Sequence, residues 1–287
     1  MPDWRRPFRP ADRAAEVVWY YIKAYFPRPA GRKHDLPGEL IVSLTSYPPR
    51  FRTLHLTLRT LLSQSTRPDR VILWIAHNDL AQLPHKVRAM ERRGLEIRGC
   101  DDLRSFQKIV PAILQFPDAW IATADDDLYY DRHWLRDLVR VAESGRVPPL
   151  IIAYRAFRFQ TDGQALVPVK AWFGSVWDAD SLVPSHNLFP TSGAGTLYPP
   201  YSLHADVTKW DLFERLSPNC DDSWLTWMAY RAGTQVRRSI LPHRSLHVWK
   251  GTHADSLWLE NGRLSDGLHG IDRSISAMTN YFGPIND

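Results

Sequence analysis

Three consecutive carboxylates, Asp125-Asp126-Asp127, follow directly on the apolar run Trp120-Ile121-Ala122-Thr123-Ala124. A run of that length suits one buried strand, and three adjacent like charges at its tip repel one another. Two arrangements relieve the repulsion. A hard divalent cation, Mn²⁺ or Mg²⁺, takes oxygen ligands, and Mg²⁺ is commonly held by one or two carboxylates plus substrate phosphates. Alternatively, the triplet is a solvated acidic turn that caps the next helix, where Asp is favoured. A second acidic pair, Asp221-Asp222, precedes the apolar-periodic residues 224–232, which Gly233 closes. Two carboxylates at a helix start need no function beyond capping; against that reading, one cap needs only one Asp.

Other candidates lie around these two motifs. Thr45, Ser46, Tyr47 and Arg50 follow the apolar residues 40–44 (LIVSL). Hydroxyls, an aromatic ring and an arginine there can hold a ribose, a base and a phosphate; the plainer alternative is a turn stiffened by Pro48 and Pro49. Asp102 stands in an acidic turn, and Lys108 lies in a predicted helix over 104–116, from which it can reach a diphosphate; the plainer alternative is a solvent-exposed lysine. Gly193 and Gly195 point to close backbone approach or to a tight loop. His243, His247, His253 and His269, with Trp249 and Trp258, fall in a tail that can fold over the site.

The elements that must carry these residues follow from periodicity. Residues 40–44, 71–76 (VILWIA), 120–124 and 150–154 (LIIAY) are short apolar runs, each suited to a buried strand. Leu54, Leu58, Leu61 and Leu62 recur at helical spacing between the first two, giving a helix over 52–64 and a β-α-β unit. Residues 131–142 read as a further helix. Beyond 155 the elements shorten, with a strand predicted over 171–177 and helices over 207–216 and 224–232. Residues 14–26 form a predicted helix with Val17, Val18, Trp19, Tyr21, Ile22, Tyr25 and Phe26, amid many arginines and lysines. It either packs on the domain or lies in a bilayer interface. The division expected is an N-terminal helical, basic extension (1–38), a first α/β half (39–155), and a second half with the C-terminal tail (156–287).

Composition narrows the class. With 44% hydrophobic and 23% charged residues in 287, the chain has ample material for a core. A net charge of +5 suits an anionic substrate or membrane surface, and no nucleic-acid-binding signature accompanies it. No apolar run reaches the length of a transmembrane helix, and the first residues do not read as a signal peptide. Two cysteines without metal-ligand spacing fit a reducing cytosol. The twelve tryptophans and eleven tyrosines suit platforms for sugar rings or a rim at a membrane interface.

With these motifs in order, the chain resembles the GT-A class of nucleotide-sugar glycosyltransferases, and most closely the family 2-like enzymes that build bacterial capsule and other surface polysaccharides. The resemblance covers roughly residues 40–250. It implies a Rossmann-like α/β fold with a mostly parallel sheet, in which Asp125-Asp126-Asp127 matches the family's Asp-x-Asp motif. It further implies Asp127 as the direct metal ligand, Asp125 facing the ribose or a metal-bound water, and Asp126 on the donor side in a mainly structural role. Asp221-Asp222 matches an acidic pair that is usually Glu-Asp, with Asp222 as general base of an inverting displacement. Thr45-Ser46-Tyr47 matches the nucleotide-binding turn, and the Gly193–Pro200 loop, with Gly193, Gly195, Asp221 and Trp224, the donor–acceptor cleft. His247 is a further candidate metal ligand. The implied donor is a nucleotide sugar, UDP foremost, and the implied acceptor a glycan or lipid-linked sugar. The implied location is cytoplasmic, with peripheral association at the inner membrane face and no nucleic-acid partner. The alternatives are a nucleotidyl- or phosphoryltransferase, against which the absence of a Gly-rich phosphate loop counts, and an inactive sugar-binding module.

Overall fold

A mostly apolar run makes Leu40–Thr45 a strand (β1) that is buried on both sides, as the inner strands of parallel sheets are. The computed structural model describes residues 10–26, 29–143, 150–162, 165–172, 176, 178–239, 246–252 and 269–285. In it β1 pairs in parallel with β2 (Arg70–Ala76), and β2 with β3 (Leu95–Cys100). On its other side β1 pairs in parallel with β4 (Trp120–Ala124). The two-residue β5 (Leu128–Tyr129) follows just beyond the acidic triplet. Three later strands, β6 (Ile151–Ala153), β7 (Thr196–Tyr198) and β8 (Val236–Arg238), complete a seven-stranded sheet of order β8-β6-β7-β4-β1-β2-β3. Only β7 runs against its neighbours. A last short strand, β9 (His247–Val248), pairs antiparallel with β5.

This topology decides where the site forms. The carboxyl ends of β1, β4 and β6 open on the same edge as the amino end of the reversed β7. Open α/β sheets bind ligands along that edge.

Helices cover both faces. The described helices are α1 (Pro10–Tyr25), α2 (Phe51–Leu61), α3 (His85–Arg88), α4 (Val110–Gln115), α5 (Trp134–Glu143), α6 (Ser192–Gly195), α7 (Trp210–Leu216), α8 (Asp221–Arg231) and α9 (Gly270–Phe282). Leu54, Leu58 and Leu61 of α2 and Leu135 and Leu138 of α5 pack with Val42 and Leu44 of β1. A second cluster joins Ile151 and Ala153 to Phe213, Trp224, Trp227 and Met278. Each such side chain, fully buried, contributes about 1.5–3 kcal/mol relative to exposure.

The predicted helix over 104–116 is broken in two. A 3₁₀ turn, Arg104–Lys108, precedes α4, because Pro111 lacks the N–H that a continuous α-helix would require and is tolerated only in a first turn. Helix α1 extends the predicted 14–26 back to Pro10. In place of a strand over 171–177, Ala171 ends a 3₁₀ turn, and residues 173–175 and 177 lie outside the described residues. The second half instead pairs Ala156–Arg158 with Leu188–Pro190, and through β7 and β8 it shares the sheet of the first half.

Candidate active site

At the end of β4 the three aspartates part company. Asp126 turns inward: it is buried, accepts the Ser46 hydroxyl at 2.5 Å and meets Arg50 Nη1 at 3.3 Å. Its carbonyl oxygen accepts the Thr57 hydroxyl of α2 at 2.8 Å. Asp127 takes the same Arg50 nitrogen at 2.5 Å, and Asp125 takes Lys108 Nζ at 2.7 Å. Pro48 and Pro49 open a short 3₁₀ turn, Pro48–Arg50, that places the guanidinium between Asp126 and Asp127. The sequence thus supplies its own counter-charges from the ends of β1 and β3.

Lys108 also joins the two acidic motifs. Its ammonium, almost wholly buried, lies 3.3 Å from Asp221 as well. Asp221 and Asp222 form the first turn of α8, where unpaired N–H groups and the helix dipole favour negative charge. Ser192, on the tight turn before β7, closes the link. Its Oγ lies 2.6 Å from Asp221 Oδ2 and 2.6 Å from Asp222 Oδ1, and its backbone N–H donates to Asp222 Oδ1 at 2.7 Å. A serine has one hydroxyl proton. It can donate to only one carboxylate at a time, so the other contact is complete when that carboxyl itself carries a proton.

The titration of the group follows from this crowding. Burial, and then the neighbouring charge of Asp221, push Asp222 up to about 7. Burial also pushes Asp126 up to about 7, against the pull of Arg50. Asp127 is raised by burial and by Asp125, partly offset by Arg50. For Asp125, burial works upward, but Lys108, Arg50 and Arg155 act against it and its pKa is lowered. Lys108 stays charged: burial would lower it, and Asp125, Asp221 and Asp222 together raise it well above an ordinary lysine. Five carboxylates therefore face two buried cations.

The glycines explain how the backbone comes so close. A Cβ on Gly193 would lie 1.8 Å from Asp125 Oδ2, so only glycine admits the carboxylate there. Gly195 has φ +112°, a conformation that disfavours side chains, and its missing Cβ would meet Trp134. Tyr130 holds the two segments together. Its hydroxyl donates to Gly193 O at 2.5 Å and accepts the Asp125 N–H at 2.7 Å.

Other predicted residues fall in different places. Thr45 donates its hydroxyl to Trp74 O at 2.9 Å, so that group, like the Ser46 hydroxyl, is engaged within the protein. Tyr47 is 39% exposed beside the Arg50 guanidinium. Asp102 remains in an exposed turn and accepts the Arg104 N–H. Trp224, expected in the cleft, is fully buried: helix periodicity directs it into the second core, where its Nε1 donates to Val207 O. His247 stacks on Tyr20 at 4.6 Å, a ring contact that takes it to the aromatic layer beneath α1. His269 caps α9, and His243 and His253 lie outside the described residues. Ser192, Tyr130 and Arg155, which also acts on Asp125, carry no sequence pattern that distinguishes them; only the fold brings them in.

Among the described residues no three His, Cys, Asp or Glu side chains form a ready-made metal cage. The donor set nevertheless suits a hard cation: Asp125 and Asp127 offer carboxylate oxygens in a site richer in carboxylates than in cations. A cation there would compete with Arg50 and Lys108 for the same oxygens.

No protein-family model and no curated protein sequence matches the chain. Among solved structures, it is similar to TarS 1-349 of S. aureus, at 13% identity and a TM-score of 0.46, over 85% of this chain and 72% of that one; the same figures hold for TarS 1-349 in complex with UDP. It is also similar to 4-diphosphocytidyl-2C-methyl-D-erythritolsynthase of Anaerococcus prevotii DSM 20548, at 11% identity and a TM-score of 0.44, over 70% of this chain and 86% of that one.

Proposed function

We propose that this chain is a metal-dependent glycosyltransferase that moves a sugar from a nucleotide-diphosphate donor, a UDP-sugar, to a hydroxyl of a glycan or lipid-linked acceptor. One observation carries the reading. Two acidic motifs far apart in sequence meet through one buried lysine and one serine, Lys108 touching Asp125 and Asp221 while Ser192 touches Asp221 and Asp222. Helix capping alone requires no such bridge. The motif order matches the glycosyltransferase resemblance in the sequence, and the mostly parallel sheet with the site at its carboxyl edge is the framework that resemblance implies.

The chemistry follows from charge. Breaking a sugar–diphosphate bond leaves negative charge on the departing phosphate, which fixed cations stabilise without reorganising. Arg50 and Lys108 are those cations, and Tyr47 offers an exposed ring for the base. A divalent cation held by Asp127, with Asp125 beside it, supplies further Lewis-acid stabilisation when bound. Asp222 takes the acceptor's hydroxyl proton. A pKa of about 7 keeps it partly ionised at neutral pH yet basic enough to accept that proton. Ser192 grips Oδ1 through both its N–H and its hydroxyl, which leaves Oδ2 for the acceptor. Displacement directed by a base opposite the leaving group inverts the anomeric centre.

The test is incubation with Mn²⁺ and a panel of nucleotide sugars, with release of nucleoside diphosphate as the readout. Release that disappears in Asp127→Ala and Asp222→Asn supports the proposal. Donor binding with no turnover on any acceptor would favour a binding module, and pyrophosphate release from a nucleoside triphosphate would favour nucleotidyl transfer.

A further inference from the structure

Helix α1 is apolar on both of its sides over residues 17–26. Its inner side packs on the domain. Tyr20 lies 4.7 Å from the Tyr129 ring and 4.6 Å from His247, Tyr21 lies 5.1 Å from Trp249, and Ala24 is fully buried. Its outer side is not covered by any described residue. Val18, Trp19, Ile22 and Tyr25 are 57%, 53%, 45% and 47% exposed, and Phe26, just past the helix, is 79% exposed. At about 3.6 residues per turn these five fall on one side. A surface helix of a water-soluble domain ordinarily turns polar residues outward.

The charged groups that contact the rings of residues 17–26 on that side are basic. Lys23 Nζ lies 5.0 Å over the Trp19 ring, and the Arg59 guanidinium lies 5.4 Å over the Tyr25 ring. Arg52 of α2 and Lys86 of α3 are exposed on the adjoining helices. Arg59 and Lys86 both act electrostatically on His55, whose ring stands 6.3 Å from Tyr25, which ties the three helices into one basic surface. Aromatic and aliphatic side chains ringed by lysine and arginine are what a headgroup layer of anionic lipid accommodates. A second copy of this chain fits less well, because a two-fold contact would bring the same positive charges face to face.

We propose that the outer side of α1 docks this protein on an anionic lipid bilayer, with Trp19, Ile22, Tyr25 and Phe26 at the headgroup level and Lys23, Arg52, Arg59 and Lys86 on the lipid phosphates. The proposal does not depend on the identity of the donor. It does place the acidic site near the surface. The inner rings of α1 contact Tyr129 and Trp249, and the Trp249 N–H donates to Asp127 O at 2.9 Å. One aromatic layer separates the docked helix from the triplet, a distance suited to an acceptor sugar carried on a lipid.

The experiment is co-sedimentation of the full chain with vesicles of phosphatidylcholine alone and of phosphatidylcholine containing phosphatidylglycerol. Binding is expected to the anionic vesicles only and to weaken as salt is raised. The triple variant Trp19→Ser, Ile22→Ser, Phe26→Ser, whose changes are all exposed, should bind more than about tenfold more weakly. Circular dichroism and thermal melting confirm that it remains folded. The proposal is overturned by absence of binding to anionic vesicles or by equal binding of variant and parent. It is also overturned by concentration-dependent dimerisation that the variant abolishes, which would assign the face to a second copy.

Discussion

Replacing Lys108 by methionine keeps the buried stem and removes the ammonium that joins the two acidic motifs. In the folded chain that ammonium lies 2.7 Å from Asp125 and 3.3 Å from Asp221. Removing one partner of a buried ion pair costs about 3–5 kcal/mol, because the remaining charge stays buried without compensation. The Asp221 side chain, 9% exposed, belongs to that class. The Asp125 side chain is 38% exposed, so solvent screens its share and little is added for it. The expected loss at pH 8 is thus about 3 kcal/mol, the low end of that range. An unfolding entropy of about 2.1 cal/mol/K per residue amounts to roughly 0.6 kcal/mol/K over 287 residues, so Tm should fall by about 5 °C. Acid should narrow the gap, since Asp222, raised to about 7, is protonated at pH 5 and no longer adds to the charge that Lys108 had balanced. Urea and thermal unfolding of parent and Lys108→Met, in chelator at pH 8 and pH 5, measure both effects. A variant as stable as the parent at pH 8, or a deficit of equal size at both pH values, would refute the electrostatic account of this site.

Three further outcomes follow from the same geometry. Between 3.8 and about 7 the folded Asp126 keeps a proton that the unfolded chain has released, so stability falls as pH rises through that window. A carboxyl held that far from its ordinary value costs about 4 kcal/mol above pH 7. Asp126→Asn, which keeps the shape of the protonated acid, should therefore gain up to about 4 kcal/mol at pH 8, since the raised pKa already includes the pull of Arg50. It should gain nothing at pH 4, as urea midpoints in chelator would report. Gly193→Ala forces a Cβ to within 1.8 Å of the Asp125 carboxylate that Lys108 holds. It should cost about 1–3 kcal/mol by overpacking and weaken UDP binding, measured by calorimetry, more than the stability loss explains. If Asp222 is the base, turnover should rise with pH through about 7, and Asp222→Asn should remove that limb together with the activity. A pH–rate profile flat across neutrality would assign the proton to another group.

Much of the sheet was legible in the sequence because its strands are short, predominantly apolar runs, buried on both faces. Residues 40–44, 71–76 and 120–124 and the leucines of α2 fall where periodicity puts them. The later strands were harder to read. β7 has three residues and β8 carries two arginines, so neither shows a pattern of its own; each is a strand because β4 and β6 offer it unpaired edges. Pro111 was visible as a break in the predicted 104–116 helix, but that the resulting 3₁₀ turn sets Lys108 beside Asp125 was not.

The acidic motifs themselves were fixed by the amino-acid order. Three adjacent aspartates at a strand end and a pair at a helix start are local facts that hold in any fold. Their division of labour is not local. Asp126 is an internal anchor because Ser46 and Arg50 arrive from β1. Asp125 and Asp221 are joined because Lys108 reaches both. Asp222 is raised because the fold buries it beside the charge of Asp221, while Ser192, delivered by a reversed strand, and Lys108 pull it partly back. Charge interactions act across a few ångströms of space without regard to sequence separation, so composition and order supply the charges, and only the folded chain decides which of them meet.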